Sequence, residues 1–453
     1  MHPTSLPGPY AIGDIGPAAY RFADQLAACG QSWWLMLPIC PVGPGDAPYN
    51  STSSFAISPL LISPDRLVEQ GLLDIDDVRQ ASGPSTARTD YNKARRIKSM
   101  LLRKAFERFR KTAAFNRFAK NNEDWLNDHC TFSDNDTDYE QFVQFTAHRQ
   151  WNDLRRYCNK LGIGLMGDVP IYVACDSADV RANRSLFQLK HDGSMTRVSG
   201  APPDAFCRNG QKWGHPLYKW NRHRDTGFEW WVRRMSVQFD RFDALRIDHF
   251  IGLHRYWSVP VQARNARKGR WQRGPGADLF NAIFKAIPDA QFIVEDLGKL
   301  TRGAKQLRDQ FNLPGMRVLQ DGFGLNSPYH LPHRYKNRFV AYTGTHDTDT
   351  TIGWFRKLSA ERRRHVLHYA QCRASEVHLG LIRLAMSSVA DTAIIPLQDV
   401  LGLGTSARMN IPGQPRNQWR WRMKPDAMTD DVIQGLRELT ETYERTAHRR
   451  KSY

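Results

Sequence analysis

An arginine and an aspartate two residues apart, Arg246 and Asp248, end an apolar lead-in that starts at Phe242. Alternate residues of a strand share a face, so both side chains are expected to point the same way where apolar sequence gives out. The design recurs. Phe292-Ile293-Val294 runs into Glu295-Asp296 and then Gly298, and Phe339 to Tyr342 runs into Thr343-Gly344-Thr345-His346-Asp347. Gly164-Leu165-Met166-Gly167 runs into Asp168. Acids at the carboxyl ends of successive strands are how a (β/α)8 barrel assembles a catalytic site.

The chemistry that two such acids can do is acid–base work on a glycosidic bond, which needs one carboxyl ionised and one protonated. Asp248 suits the nucleophile, because Arg246 beside it would favour the charged form. Glu295, on another strand and with a longer reach, suits the general acid/base, provided its neighbours raise its pKa. Asp347 is placed to bond sugar hydroxyls, with His346 as a further donor. A lone acid at a strand end is more often a helix cap or an arginine partner, and Asp296 and Asp349 read that way. Repetition over several strands outweighs that reading for the others. Sugars also stack their C–H faces on rings, which brings in Tyr49, Trp213 and Trp257. Tyr49 and Trp213, flanked by Gly and Pro, are the better exposed platforms, whereas Trp33, Trp34, Trp230 and Trp231 fit core positions.

Elements must hold these groups in place. Apolar runs predict parallel strands at Ser32–Ile39, Gly164–Val173, Ala244–Phe250, Phe292–Glu295, Met316–Leu319, Phe339–Thr343 and Thr392–Gln398, alternating with helices. An eighth belongs near the start, but Met1 to Pro9 has no apolar lead-in, so the first strand is expected to be rudimentary or cut short. The fold class is therefore α/β, a (β/α)8 TIM barrel with a helical insertion after the second strand and a long lid loop after the third. Residues 1–63 open the barrel, and 64–161 form the insertion, with amphipathic spacing over Leu101 to Phe118 and Tyr139 to Tyr157. Residues 162–425 complete the barrel and include a lid at 199–216, since loops this long in compact domains are usually lids or binding loops. Residues 426–453 form a terminal helix, Asp426 to Tyr443, and a basic tail.

Composition narrows the class. The 453 residues are 41% apolar, enough for one large core. No apolar run reaches the roughly 20 residues that span a bilayer, and no signal peptide is visible. Seven cysteines without a CxxC pair make neither a disulfide framework nor a zinc pattern, so a reduced, cytoplasmic protein is expected. The net charge of +18 is compatible with nucleic-acid binding, but the basic residues are dispersed and no nucleic-acid motif accompanies them. A basic surface on an ordinary enzyme is the simpler reading.

The motifs taken together resemble the 4-α-glucanotransferases called amylomaltase or disproportionating enzyme, glycoside hydrolase family 77. The resemblance runs nearly end to end: HPTSLPGPYAIGDIG, GDVPIYVACDSADVRAN, SGAPPDAFCRNGQKWGHPLYKW, ALRIDHFIGLHRYWSVP, VEDLGKLT, LPGMRVLQ, YTGTHDTDTTIGW and LQDVLGLGTSARMNIPG. It implies a cofactor-free, retaining transfer of α-1,4-glucan segments between maltooligosaccharides, with glucose or a maltooligosaccharide as acceptor and no metal ligand among the site residues. Nucleic acid and membranes have no part in it. By motif, Asp248 would be the nucleophile, Glu295 the acid/base and Asp347 the third carboxylate. Asp168, Arg246 and His346 would line the subsite of the reacting glucose, Tyr49 would stack there, Trp213 would belong to the lid, and Asn410 would be a further sugar contact. The chain departs from the family pattern at Ser58, Arg181, Ala205, His215 and Asn417-Gln418, and lacks the apolar strand that normally precedes HPTSLPG. None of these removes a proposed catalytic group. Competing readings are an α-glucan hydrolase on the same barrel, a silent glucan-binding scaffold and, more distantly, a nucleic-acid binder.

Overall fold

The computed structural model describes residues 1–203, 207–298, 300–324, 328–414 and 416–446. Its strands in chain order are β1 (Trp33–Leu35), β2 (Gly164–Pro170), β3 (Arg197–Ala201), β4 (Gln211–Lys212), β5 (Ala244–Asp248), β6 (Arg255–Pro260), β7 (Arg270–Arg273), β8 (Phe292–Val294), β9 (Gly315–Val318), β10 (Phe339–Tyr342) and β11 (Thr392–Ile394). Seven of them form a parallel sheet in the order β1-β2-β5-β8-β9-β10-β11, which curls into a nearly closed barrel. These are the seven runs that apolar patterning predicts. Both faces of such strands are covered, so they read as continuous apolar runs without alternation. The observed strands are mostly shorter than expected. The run beginning at Thr392 stops at Ile394, and Leu397–Val400 turns helical behind Pro396.

Among the described residues no pairing joins β1 to β11, the two outer members of the sheet. A seam lies between them. Met1 lies along it: its amine donates to Leu35 O at 3.1 Å, and its carbonyl accepts from Trp34 Nε1 at 2.6 Å. Burial pushes that amine down to about 5. The seam opens a cavity of about 1360 Å³, part of it open to solvent, whose walls include Phe22, Leu26, Ile394 and Leu436. Its inner end reaches Asp168 and Arg246.

Between β1 and β2 lie six α-helices, Pro64–Glu69, Ile75–Ala81, Tyr91–Arg108, Ala113–Asn121, Glu123–Ser133 and Thr137–Lys160. The helical spacing over Leu101 to Phe118 is split in two. Thr112 caps a new helix by accepting from Phe115 N at 3.2 Å, and Phe109 leaves the first one to pack on Phe142 at 4.8 Å. The longest helix docks on the barrel through two buried amides. Gln144 pairs with the backbone N–H and C=O of Ile57, and Gln150 does the same with Ser63, at 2.7 to 3.1 Å. Trp151 packs on Phe242 and donates to Arg241 O, so one hydrophobic core runs through barrel and helices alike.

The region expected to be a lid loop, 199–216, contains the end of β3 and all of β4. They join β6 and β7 in an antiparallel sheet, order β4-β3-β6-β7, that sequence reading did not anticipate. Part of the expected lid, 199–216, is thus strand, and Asp204, Ala205 and Phe206 lie outside the described residues. The C-terminal helix spans Asp430–Thr442, and the basic tail likewise lies outside them. Among the described residues no helix is long and apolar enough to cross a membrane.

Candidate active site

Parallel register sets Asp168 on β2 beside Arg246 on β5. Arg246 Nη1 donates to both Asp168 oxygens at 2.8 and 2.6 Å and lies 3.1 Å from Asp248 Oδ1. Its Nη2 donates to Glu295 Oε2 at 3.0 Å. One planar guanidinium therefore grips carboxylates from the ends of three neighbouring strands, a geometry for which arginine's fixed fork is suited. The arginine side chain is 5% exposed, whereas those of Asp248 and Glu295 are 27% and 24% exposed, so the acids form the floor of a cleft that a ligand can reach.

Asp248 and Glu295 hydrogen-bond each other. Both also stand within 3.1 Å of the same guanidinium, which holds them side by side. Burial and the adjoining Glu295 charge push Asp248 well above the usual carboxylate range, despite Arg246. Burial opposes the charge on Glu295 too. Arg246, the proton offered by Asp248, and His249 N–H at 2.8 Å nonetheless carry it down to about 2. The two acids titrate as one pair, with Asp248 the raised member and Glu295 the lowered one. This reverses the expectation that Arg246 keeps Asp248 ionised while Glu295 is raised. The reason is geometric: Arg246 serves both acids, but only Glu295 also receives a backbone N–H. His249 supplies it from a left-handed backbone, φ 51°, a conformation that costs a non-glycine residue about 1 kcal/mol or more.

The opposite wall comes from the loop after β10 and from the chain near its end. Tyr49 OH donates to Asp168 Oδ2 at 2.7 Å, and its ring stacks on His346 at 5.1 Å. Burial, then Asp168, Asp248 and Asp347 with Arg246 opposing them, carry the Tyr49 phenol well above its ordinary value, so this ring is a neutral donor. Asp347 is 48% exposed, accepts from Asn410 Nδ2 at 2.6 Å and lies 3.5 Å from His346 Nε2. Trp213 sits over the other side, its ring edge-on to His249 at 4.7 Å. All nine residues expected at the site, Tyr49, Asp168, Trp213, Arg246, Asp248, Glu295, His346, Asp347 and Asn410, fall around one cleft.

The family model for glycoside hydrolase family 77, described as 4-alpha-glucanotransferase, matches residues 1–137 and 133–429. A 4-alpha-glucanotransferase of Synechocystis sp. is 41% identical, the match covering 98% of this chain and 97% of that protein. This chain belongs to family 77. The 4-alpha-glucanotransferase of Aquifex aeolicus is 39% identical over 94% of this chain and 95% of its own length. Amylomaltase from Streptococcus agalactiae, solved with acarbose, superposes with a TM-score of 0.94 at 32% identity, covering 98% of both chains.

Around the family 77 cleft the structure adds residues that the motifs do not single out. Trp419 lies 5.8 Å from both Tyr49 and His346, closing a three-ring wall. Arg408 donates to Asp347 O at 2.5 Å and to Asn410 O at 2.6 Å, fixing the loop that carries the third acid. His249 was visible only as part of a motif. Trp257, offered as a sugar platform, lies instead in β6, with its ring on Trp271 and its Nε1 bonded to Ala266 O. Asp296 and Asp349 are structural, as read. Asp296 binds Arg308 and accepts from Met316 N at 2.8 Å, and Asp349 binds Lys357 and Thr405.

Proposed function

We propose that the cleft carries out retaining transfer of α-1,4-glucan segments through a covalent glucosyl–enzyme intermediate. The chain is a 4-α-glucanotransferase by family and by relatives that match it over nearly their whole length. The observation that carries the finer reading is the Asp248–Glu295 pair, both held on the Arg246 guanidinium at 3.1 and 3.0 Å and titrating together. One proton on two acids is the protonation that retaining chemistry requires. A sugar entering between them separates the acids and lets the proton pass from Asp248 to Glu295. Glu295 then protonates the glycosidic oxygen as the C1–O bond breaks, and the Asp248 carboxylate forms a new bond to C1. In the second half an acceptor hydroxyl attacks C1, gives its proton to Glu295, and Asp248 leaves.

Asp347 bonds the hydroxyls of the reacting ring, while Tyr49 and His346 line its subsite. Trp213, in the partly stranded lid, covers the acceptor side and favours a sugar acceptor over water. Substrates are maltooligosaccharides, in keeping with the acarbose-bound relative. The reduced cytoplasm is the expected setting. Incubated with maltotriose, the protein should produce glucose and longer maltooligosaccharides while the number of reducing ends stays constant. Absence of any longer product would defeat the reading, and a steady rise in reducing ends would make the protein a hydrolase.

A further inference from the structure

The antiparallel sheet carries charge that the cleft chemistry does not use. From His249 to Ala277 the chain has six basic residues, Arg255, Arg264, Arg267, Lys268, Arg270 and Arg273, and no acid. β3 adds Arg197 and β4 adds Lys212. Among the described residues, the ion pairs of this part of the chain involve Arg222, Arg224, Arg233 and Arg246, and none of these eight. Where the eight do bond, the acceptors are neutral. Arg197 holds Ser258 Oγ at 2.6 Å, Lys212 holds Val261 O at 2.6 Å, and Arg267 holds Arg208 O at 3.1 Å.

Strand register makes this arrangement costly. Arg255 stands directly opposite Arg273 on one face, and on the other Arg197 feels the charge of Arg270. Like charges facing each other across a sheet are destabilising, and an external anion laid between them removes the repulsion. The sheet also leads to the cleft. β4 ends at Lys212, and the next residue is Trp213, whose ring meets His249 beside Asp248. A glucan leaving the acceptor side would pass over this surface.

We propose that the sheet is a docking surface for α-glucans bearing phosphate monoesters, a substrate class that rests on the glucan-transfer reading above. Neutral glucose units offer these cations nothing, whereas a phosphate ester offers a compact anion that two arginines can share. Single-stranded nucleic acid fits less well, because its bases need open rings. Arg255 covers the Trp271 ring at 4.0 Å, and Gly269 lies so close to the Trp257 ring that an added Cβ would come within 2.1 Å of it.

The test compares a phosphate-bearing α-glucan with the same glucan stripped by a phosphatase, using retardation of the full-length protein in native gels, which needs no turnover. The expected result is about fivefold tighter binding to the phosphorylated glucan, the scale of one good exposed ion pair. It should vanish in high salt and in the variant Arg264→Gln/Lys268→Gln/Arg270→Gln/Arg273→Gln, with maltotriose disproportionation by that variant unchanged. Equal binding to the two glucans overturns the proposal, as does retention on RNA with no preference between them. Failure to disproportionate maltotriose would strike the transfer reading alone, because the binding comparison does not depend on it.

Discussion

At the scale of single residues, the site is governed by where one proton sits. The pair works with one proton, so activity should hold between loss of that proton and gain of a second. Glu295 accepts a second proton only near 2, far below a free glutamate, which puts the acid limb of kcat/KM lower than ordinary carboxylate titration would. Asp248 is raised, so the last proton is retained below its raised value and lost as pH climbs through it, which sets the alkaline limb. A pH–rate profile with its acid limb at the ordinary glutamate value would contradict this arrangement. Glu295→Gln should lower kcat by about 10²- to 10⁴-fold on maltotriose, and much less on a donor whose leaving group needs no proton. Comparing the two donors checks the acid role directly. The strand-end acids were legible in the sequence because apolar-to-acid transitions are visible one strand at a time. The direction of the proton was not, since it turns on His249 N–H, a backbone group whose aim depends on a left-handed turn no motif encodes.

Elements position these groups, and two placements carry measurable consequences. Gly315 opens β9 beside Asp296, and a Cβ there would come within 2.4 Å of that carboxylate. Gly315→Ala should therefore displace the Asp296–Arg308 pair next to Glu295 and destabilise the protein by about 1–3 kcal/mol, the usual range for overpacking. Thermal unfolding would show it, with kcat falling alongside. Gln144→Leu removes both bonds to the Ile57 backbone and leaves a buried N–H and C=O unpaired, at a cost of about 1–3 kcal/mol for each group. Denaturant unfolding would register that loss. The antiparallel sheet escaped sequence reading for a plain reason. Its strands are two to six residues long and rich in Arg, Gly and Ser, so neither alternation nor an apolar run stands out. Trp419 and Arg408 escaped because the chain that delivers them has no periodicity, and Trp419 itself lies at φ 63°.

For the whole molecule, the seam between β1 and β11 decides where the barrel is weakest. Among the described residues, backbone groups on the open sides of those strands have no ladder partner, so their amides should exchange with deuterium faster than those of β5 and β8, which are paired on both sides. Uniform protection around the barrel would mean that the seam is closed in solution. Barrel architecture was readable from the seven apolar runs and their crossover helices. The path of Met1 was not, because a lone residue lying beside Leu35 has no pattern to betray it. The cavity behind the seam runs from apolar walls at Phe22, Leu26 and Leu436 to Asp168, Arg246 and His346. A greasy wedge-shaped compound confined to the apolar end, among Phe22, Leu26 and Leu436, would press on the guanidinium without entering the sugar cleft. Inhibition of that kind would depress the maximal velocity without being relieved by more maltotriose.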